Sequence, residues 1–91
     1  MKTRAHILVN GSVQGVFFRS ATKDRADNLD VKGWTRNLPD GKVEAVFEGE
    51  EEAVKALIKF CGHGPRGAVV TNIELQWEQF IGEFKKFEIR Y

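Results

Sequence analysis

The amino-acid sequence predicts an α+β sandwich: a mostly antiparallel sheet of four or five strands with two helices on one face. Three observations carry that reading. Two segments repeat apolar residues at helical spacing. Several others alternate apolar and polar residues as half-buried strands do. A Pro-Asp-Gly turn joins two of these strands into a hairpin.

Arg4 to Val13 (RAHILVNGSV) is short, apolar and β-branched, and reads as the first strand. From Phe18 the pattern becomes helical. Phe18, Ala21 or Thr22, Ala26 and Leu29 share one side, Lys23, Asp24, Arg25 and Asp27 fill the polar side, and the helix should end near Asp30. Val31 to Leu38 (VKGWTRNL) returns to strand character. Pro39-Asp40-Gly41 is the hairpin tip, since proline suits the first corner of a turn and glycine accepts a positive φ. Val43, Ala45 and Phe47 then alternate with Lys42, Glu44 and Glu48 until Gly49 breaks the run. Glu50, Glu51 and Glu52 sit where a helix N-terminus favours negative charge, and Ala53, Val54, Leu57, Ile58 and Cys61 form one apolar face. Gly62 to Gly67 is a loop. Thr71, Ile73, Leu75 and Trp77 alternate with Asn72, Glu74, Gln76 and Glu78, and Phe87, Ile89 and Tyr91 give a last strand.

The order β-α-β-β-α-β, with an extra C-terminal strand, suits a split βαβ sandwich of the ferredoxin-like kind. A length of 91 residues gives a single domain, 1–91, with one modest core. Hydrophobic residues at 42% and charged residues at 30% place the chain among globular proteins. The 14 basic and 13 acidic side chains leave a net charge of +1, which argues against nucleic acid or an anionic membrane held by bulk charge. Any anion must therefore be caught by a local site. The lone Cys61 allows no internal disulfide, the N-terminal apolar run is too short for a signal peptide, and no window approaches a membrane span. A cytoplasmic monomer is expected.

The segment between the first strand and the first helix, GSVQGVFFR (Gly11 to Arg19), carries the chemistry. A loop in that place can aim successive main-chain N–H groups at one point, and the helix dipole adds to them. Gly11 and Gly15 permit close approach, and Arg19 could fold back over the loop to offer paired donors to two phosphoryl oxygens. The Gly-Lys-Ser/Thr ending of a Walker A loop is missing. From the residues alone, both a phosphate seat and a structural turn remain open. Asn37, at the end of its strand, likewise either hydrogen-bonds its own turn or holds a water molecule.

GSVQGVFFR followed by GWTRNLPDG (Gly33 to Gly41) resembles the acylphosphatase family, whose usual forms are GRVQGVGFR and a Gly-Trp strand ending in Lys/Arg-Asn. The resemblance extends over the two helices to FEIRY, essentially the whole chain. It implies hydrolysis of carboxyl–phosphate anhydrides to a carboxylate and inorganic phosphate, with no metal and no cofactor. It implies that Arg19 binds the phosphoryl group and that Asn37 orients the attacking water. The main-chain N–H groups of Gln14, Gly15, Val16, Phe17, Phe18 and Arg19 would form the cradle. The implied partner is a small acyl phosphate, with inorganic phosphate as product and competitive inhibitor. Ser12 departs from the usual arginine, which removes a positive charge near the anion. Phe17 stands where Gly or Cys is frequent; a positive φ there would strain a phenylalanine, so the position is expected to supply mainly a backbone N–H.

The other polar residues read as structural. His6 lies mid-strand, His63 sits in a glycine loop, and Cys61 is a small core residue, so no metal set is expected. Trp34 and Trp77 read as core or sheet-surface residues, Glu50 to Glu52 as helix-start electrostatics, and Lys85-Lys86 as a solvated edge. An RNA-recognition module shares the element order, and His6 to Gly11 (HILVNG) faintly matches one of its signature strands. Lys42 to Gly49 (KVEAVFEG) offers acids and a single Phe where the second signature needs aromatics and bases. The more serious rival is a non-catalytic phosphate- or anion-binding module built on the same cradle.

Overall fold

The structure, a computed structural model, describes residues 1–91. Its elements are β1 (Lys2–Ser12), α1 (Phe18–Asn28), β2 (Lys32–Asn37), β3 (Val43–Glu50), α2 (Glu51–His63), β4 (Val69–Glu78) and β5 (Phe87–Arg90). The strands form one sheet in the order β4-β1-β3-β2-β5, antiparallel except where β5 runs parallel to β2. This is the α+β sandwich that the alternation and the helical spacing predict.

Strand alternation sorts the side chains. Ala5, Ile7 and Val9 of β1 lie opposite Phe47, Ala45 and Val43 of β3, and all six are buried. From the helices, Phe18 and Ala26 of α1 and Val54, Leu57 and Cys61 of α2 join the same cluster, so both helices cover one face. Phe87 of β5 reaches Phe47, ring centroids 5.9 Å apart, and closes the core beneath α1. Fully burying each of the larger of these side chains (Val, Leu, Ile, Phe) is worth roughly 1.5–3 kcal/mol. The intervening residues of β1 and β3 (Arg4, His6, Glu44, Glu48) face the other side of the sheet.

Gly49, read as a strand breaker, is instead paired within β3 opposite Thr3. β3 is the central strand, held by β1 on one side and β2 on the other, and two ladders outweigh one weak local propensity. Helix α2 continues past Gly62 to His63 and ends at Gly64, whose φ of 72° lets the chain turn off the helix. β4 is an edge strand, and its Leu75 and Trp77 are only half covered.

The far face carries a charged network. Arg4 reaches Glu48 at 3.2 Å, Glu78 at 2.9 Å and Glu83 at 2.6 Å. Glu48 is 2% exposed, and its Oε2 also accepts from the main-chain N–H groups of Ile81 and Gly82 at 2.9 and 3.2 Å. The 79–86 connection is thereby tied across the sheet, at the end opposite the β2–β3 hairpin. No helix is long and apolar enough to cross a membrane.

Candidate active site

The β1–α1 loop is built by a change of direction and three anchors. The register of β1 against β4 shifts at Asn10/Gly11, a bulge that turns the chain out of the sheet. Only glycine fits at position 11, since a side chain there would collide with the Val69 carbonyl. Val13 and Phe18 are buried in the core and pin the two ends of the loop. Between them the Gln14 side chain crosses to the hairpin, its Nε2 donating to the carbonyls of Leu38 at 2.8 Å and Lys42 at 2.9 Å.

Two backbone positions then curl the loop. Gly15 has φ 73° and Phe17 has φ 59° and ψ 27°, the left-handed region. The strain expected of a phenylalanine at positive φ is thus present at Phe17, at a cost of about 1–2 kcal/mol. The curl leaves donors unpaired. From Gln14 to Ser20 no main-chain N–H donates to a main-chain acceptor; the first to do so is Ala21, to the Phe17 carbonyl at 3.0 Å. No side chain caps α1, and its first turn holds no acid. The positive end of the helix is therefore neither capped nor neutralised by its own side chains.

Arg19 is the second residue of α1, earlier in the helix than a full turn. Its guanidinium leans toward β5, with Cζ 4.9 Å from the Tyr91 ring centroid and Nη1 3.5 Å from the Arg90 carbonyl. No carboxylate lies within ion-pairing distance of it. A cation held by a ring face and a carbonyl keeps its charge available to a ligand.

Asn37 ends β2 opposite Val43, on the core-facing side with Gly33 and Thr35. Since Val43 also pairs with Val9, Asn37 lies two strands from the end of β1. Its carboxamide makes no hydrogen bond with the protein, and Oδ1 is buried without a partner. The turn-closing role falls to Asp40, whose Oδ1 accepts from the Lys42 N–H at 3.0 Å. The simplest structural use of Asn37 is thus absent.

Arg19 and Asn37 meet in one cavity of about 220 Å³, walled also by Val13, Gly15, Phe17, Phe18 and Ser20. The side chains of Gln14 and Val16 do not line it, Gln14 reaching the hairpin and Val16 packing against the core, so these two positions could serve the cradle only through their main-chain N–H groups. The wall contains no His, Cys, Asp or Glu, so the chain offers no general acid or base and no obvious metal ligand there. Cys61 is buried, and that burial pushes its thiol up to about 12, an inert core group. His6 is engaged on the opposite face of the sheet, 2.7 Å from Glu44 Oε2. Trp34 lies on that face as well, with Arg36 and Arg90 over its ring.

Sequence reasoning missed three parts of this arrangement. The Gln14 clamp depends on a hairpin 24 residues away, and the Tyr91 contact depends on β5 lying beside β2. Neither is encoded locally. The third is Ser20, which faces the cavity from the first turn of α1 and had no motif to flag it.

Fold and loop together define a small α+β sandwich with an anion-receptive bowl between its first strand and first helix. The acylphosphatase family model matches residues 5–89, and the chain belongs to that family. It is 49% identical over 90 residues to an acylphosphatase of Pelotomaculum thermopropionicum, covering 99% of this chain and 98% of that one. The crystal structure of acylphosphatase from Bacillus subtilis superposes with a TM-score of 0.94 at 33% identity, each chain covered completely. An acylphosphatase from Coxiella burnetii gives 0.92 at 35% identity over 98% of this chain and 93% of that one.

Proposed function

We propose that this chain is an acylphosphatase that hydrolyses the carboxyl–phosphate anhydride of a small acyl phosphate, giving a carboxylate and inorganic phosphate. One observation carries the reading at the level of residues. Arg19, the carboxamide of Asn37 and several residues of the unpaired amide run (Gly15, Phe17, Phe18 and Ser20) share a single cavity, and the carboxamide has no other partner. Residues 1–91 act as one domain, supported by the single core cluster that draws on both helices and on β1, β3 and β5, with Val70 and Ile73 of β4 packed against it. Every group the reaction uses comes from one chain, which supports action as a monomer. A lone, buried Cys61 suits the cytosol.

The phosphoryl oxygens sit on the main-chain N–H groups of the loop and first helical turn, Gln14 to Arg19, with the Arg19 guanidinium bridging two of them. Asn37 holds a water molecule by hydrogen bonds in line with the scissile bond. The water oxygen attacks phosphorus and the bond to the acyl oxygen breaks. The electron pair leaves with the carboxylate, which is too weak a base to need a proton donor. A neutral amide does not take a proton, so the water's proton passes to a phosphoryl oxygen of the substrate. Positioning and charge stabilisation supply what a loose phosphoryl transition state requires, in keeping with a wall free of acids and bases.

The test is hydrolysis of acetyl phosphate in the presence of a chelator, repeated with added inorganic phosphate. Turnover with competitive inhibition by phosphate is expected. Phosphate binding without turnover would instead identify a non-catalytic anion module.

A further inference from the structure

Ser20 lies on the wall of the cavity that Arg19 and Asn37 share, and the chemistry described so far leaves it idle. A serine or threonine inside a helix often bonds back to the carbonyl four residues earlier, as Thr22 does to the Phe18 carbonyl at 2.8 Å. The Ser20 hydroxyl makes no hydrogen bond within the protein. Its main-chain N–H is unpaired too, so the run of free donors extends one residue beyond the Gln14 to Arg19 cradle.

The wall is one-sided in its hydrogen bonding. Main-chain N–H groups and the Arg19 guanidinium donate and cannot accept. Among the side chains of the wall, only Ser20 Oγ and Asn37 Oδ1 can accept. The reaction creates a need for acceptors. Water and a dianionic acyl phosphate give a carboxylate and dihydrogen phosphate. One hydrogen stays on the attacking oxygen, and the other moves to a phosphoryl oxygen. The product thus presents two P–O–H donors to a bowl built of donors, and a donor left without an acceptor forfeits a hydrogen bond. Asn37, which holds the attacking oxygen, meets the first of them.

We propose that Ser20 Oγ accepts the hydrogen bond of the second P–O–H, the one formed when the water's proton reaches a phosphoryl oxygen. The inference rests on the catalytic reading above and adds a residue to it. The hydroxyl takes no proton. It accepts a hydrogen bond while its own hydrogen turns to another phosphoryl oxygen or to solvent. Ser20 thereby lets the bowl tell a hydrogen-bearing phosphate from a fully ionised anion of the same shape.

The experiment titrates the wild type, Ser20→Ala and Ser20→Thr with inorganic phosphate and with sulfate by calorimetry, and measures kcat for acetyl phosphate on the same samples. Mildly acidic buffer keeps phosphate in its dihydrogen form, while sulfate carries no hydrogen. Ser20 is exposed, and alanine suits a helix better, so the alanine variant keeps its fold. Ser20→Ala is expected to weaken phosphate about two- to tenfold, the worth of one hydrogen bond, and to leave sulfate within about twofold. Its kcat falls to a similar degree, and Ser20→Thr, which restores the hydroxyl, keeps both. Equal losses on the two anions, or no loss on either, would overturn the inference while leaving catalysis intact. A wild type that fails to hydrolyse acetyl phosphate would overturn the catalytic reading, and the step assigned to Ser20 with it.

Discussion

The side-chain amide of Gln14 donates to the main-chain carbonyl of Leu38 at 2.8 Å, locking the β1–α1 loop to the residue that follows Asn37. The two halves of the cavity come from separate segments, Val13 to Ser20 on one side and Asn37 on the other, and this contact fixes one against the other. Arg19 on its helix and Asn37 on its strand would otherwise be positioned independently.

Removing that lock should harm turnover more than stability. Both carbonyls keep another donor, the Leu38 carbonyl from Gly41 at 3.1 Å and the Lys42 carbonyl from Leu38 at 2.8 Å. Gln14→Ala should therefore cost about 0.5–1.5 kcal/mol in denaturant unfolding. Its kcat should fall by about tenfold or more, because small misplacements of reacting groups are expensive. An unchanged kcat would show that loop and hairpin hold their relative position without it.

Arg19 is separable from its platform. Arg19→Lys should lose phosphate inhibition and turnover as severely as Arg19→Ala, because an ammonium cannot form the two-donor fork. Tyr91→Ala leaves the guanidinium in place without its ring, and a cation–π contact at an exposed site is worth about 0.5–1 kcal/mol. KM should rise about two- to fivefold on that scale, with kcat less affected. Steady-state kinetics on the three variants checks the ordering.

Phe17→Gly should stabilise the protein by about 1 kcal/mol, since glycine adopts the left-handed conformation without the steric cost of a Cβ. The gain is net of glycine's larger entropy in the unfolded chain. Thermal unfolding measures it, and a destabilised variant would mean that the ring packs against something in solution.

Acid should unfold the protein partly through Glu48 and Glu44. Burial raises the Glu48 carboxyl, but the N–H groups of Ile81 and Gly82 and the Arg4 guanidinium outweigh it and hold the group below its ordinary 4.5. Glu44 shows the same balance, burial opposed by His6 and Arg36, again with a net lowering. A depressed folded value means that the unfolded chain binds protons first, so the stabilisation is fully present above the unfolded value. It is lost as pH falls from about 4.5 through the lower folded values. Glu48→Gln should flatten the stability–pH curve below about 4.5 and leave the Glu44 part of the slope. An unaltered slope would remove Glu48 from the account.

Most of the fold was legible because it rests on local alternation. β1, β3 and the two helices each expose a one-sided apolar pattern, and Pro39-Asp40-Gly41 declares the hairpin. Gly49 misled, because its place in the central strand is a tertiary fact. Arg19 and Asn37 were legible through motif resemblance, and the geometry brings both to one cavity. The left-handed backbone at Phe17 was foreseen only as a conditional strain. Glycine and asparagine advertise that conformation, and a phenylalanine conceals it.

The most direct test of the central claim is kcat for Asn37→Ala on an acyl phosphate, with the inhibition constant of inorganic phosphate measured in the same assay. A carboxamide that only orients water should leave phosphate inhibition within about threefold of the wild type, while kcat falls roughly 10²-fold or more. Near-normal turnover in that variant would contradict the account.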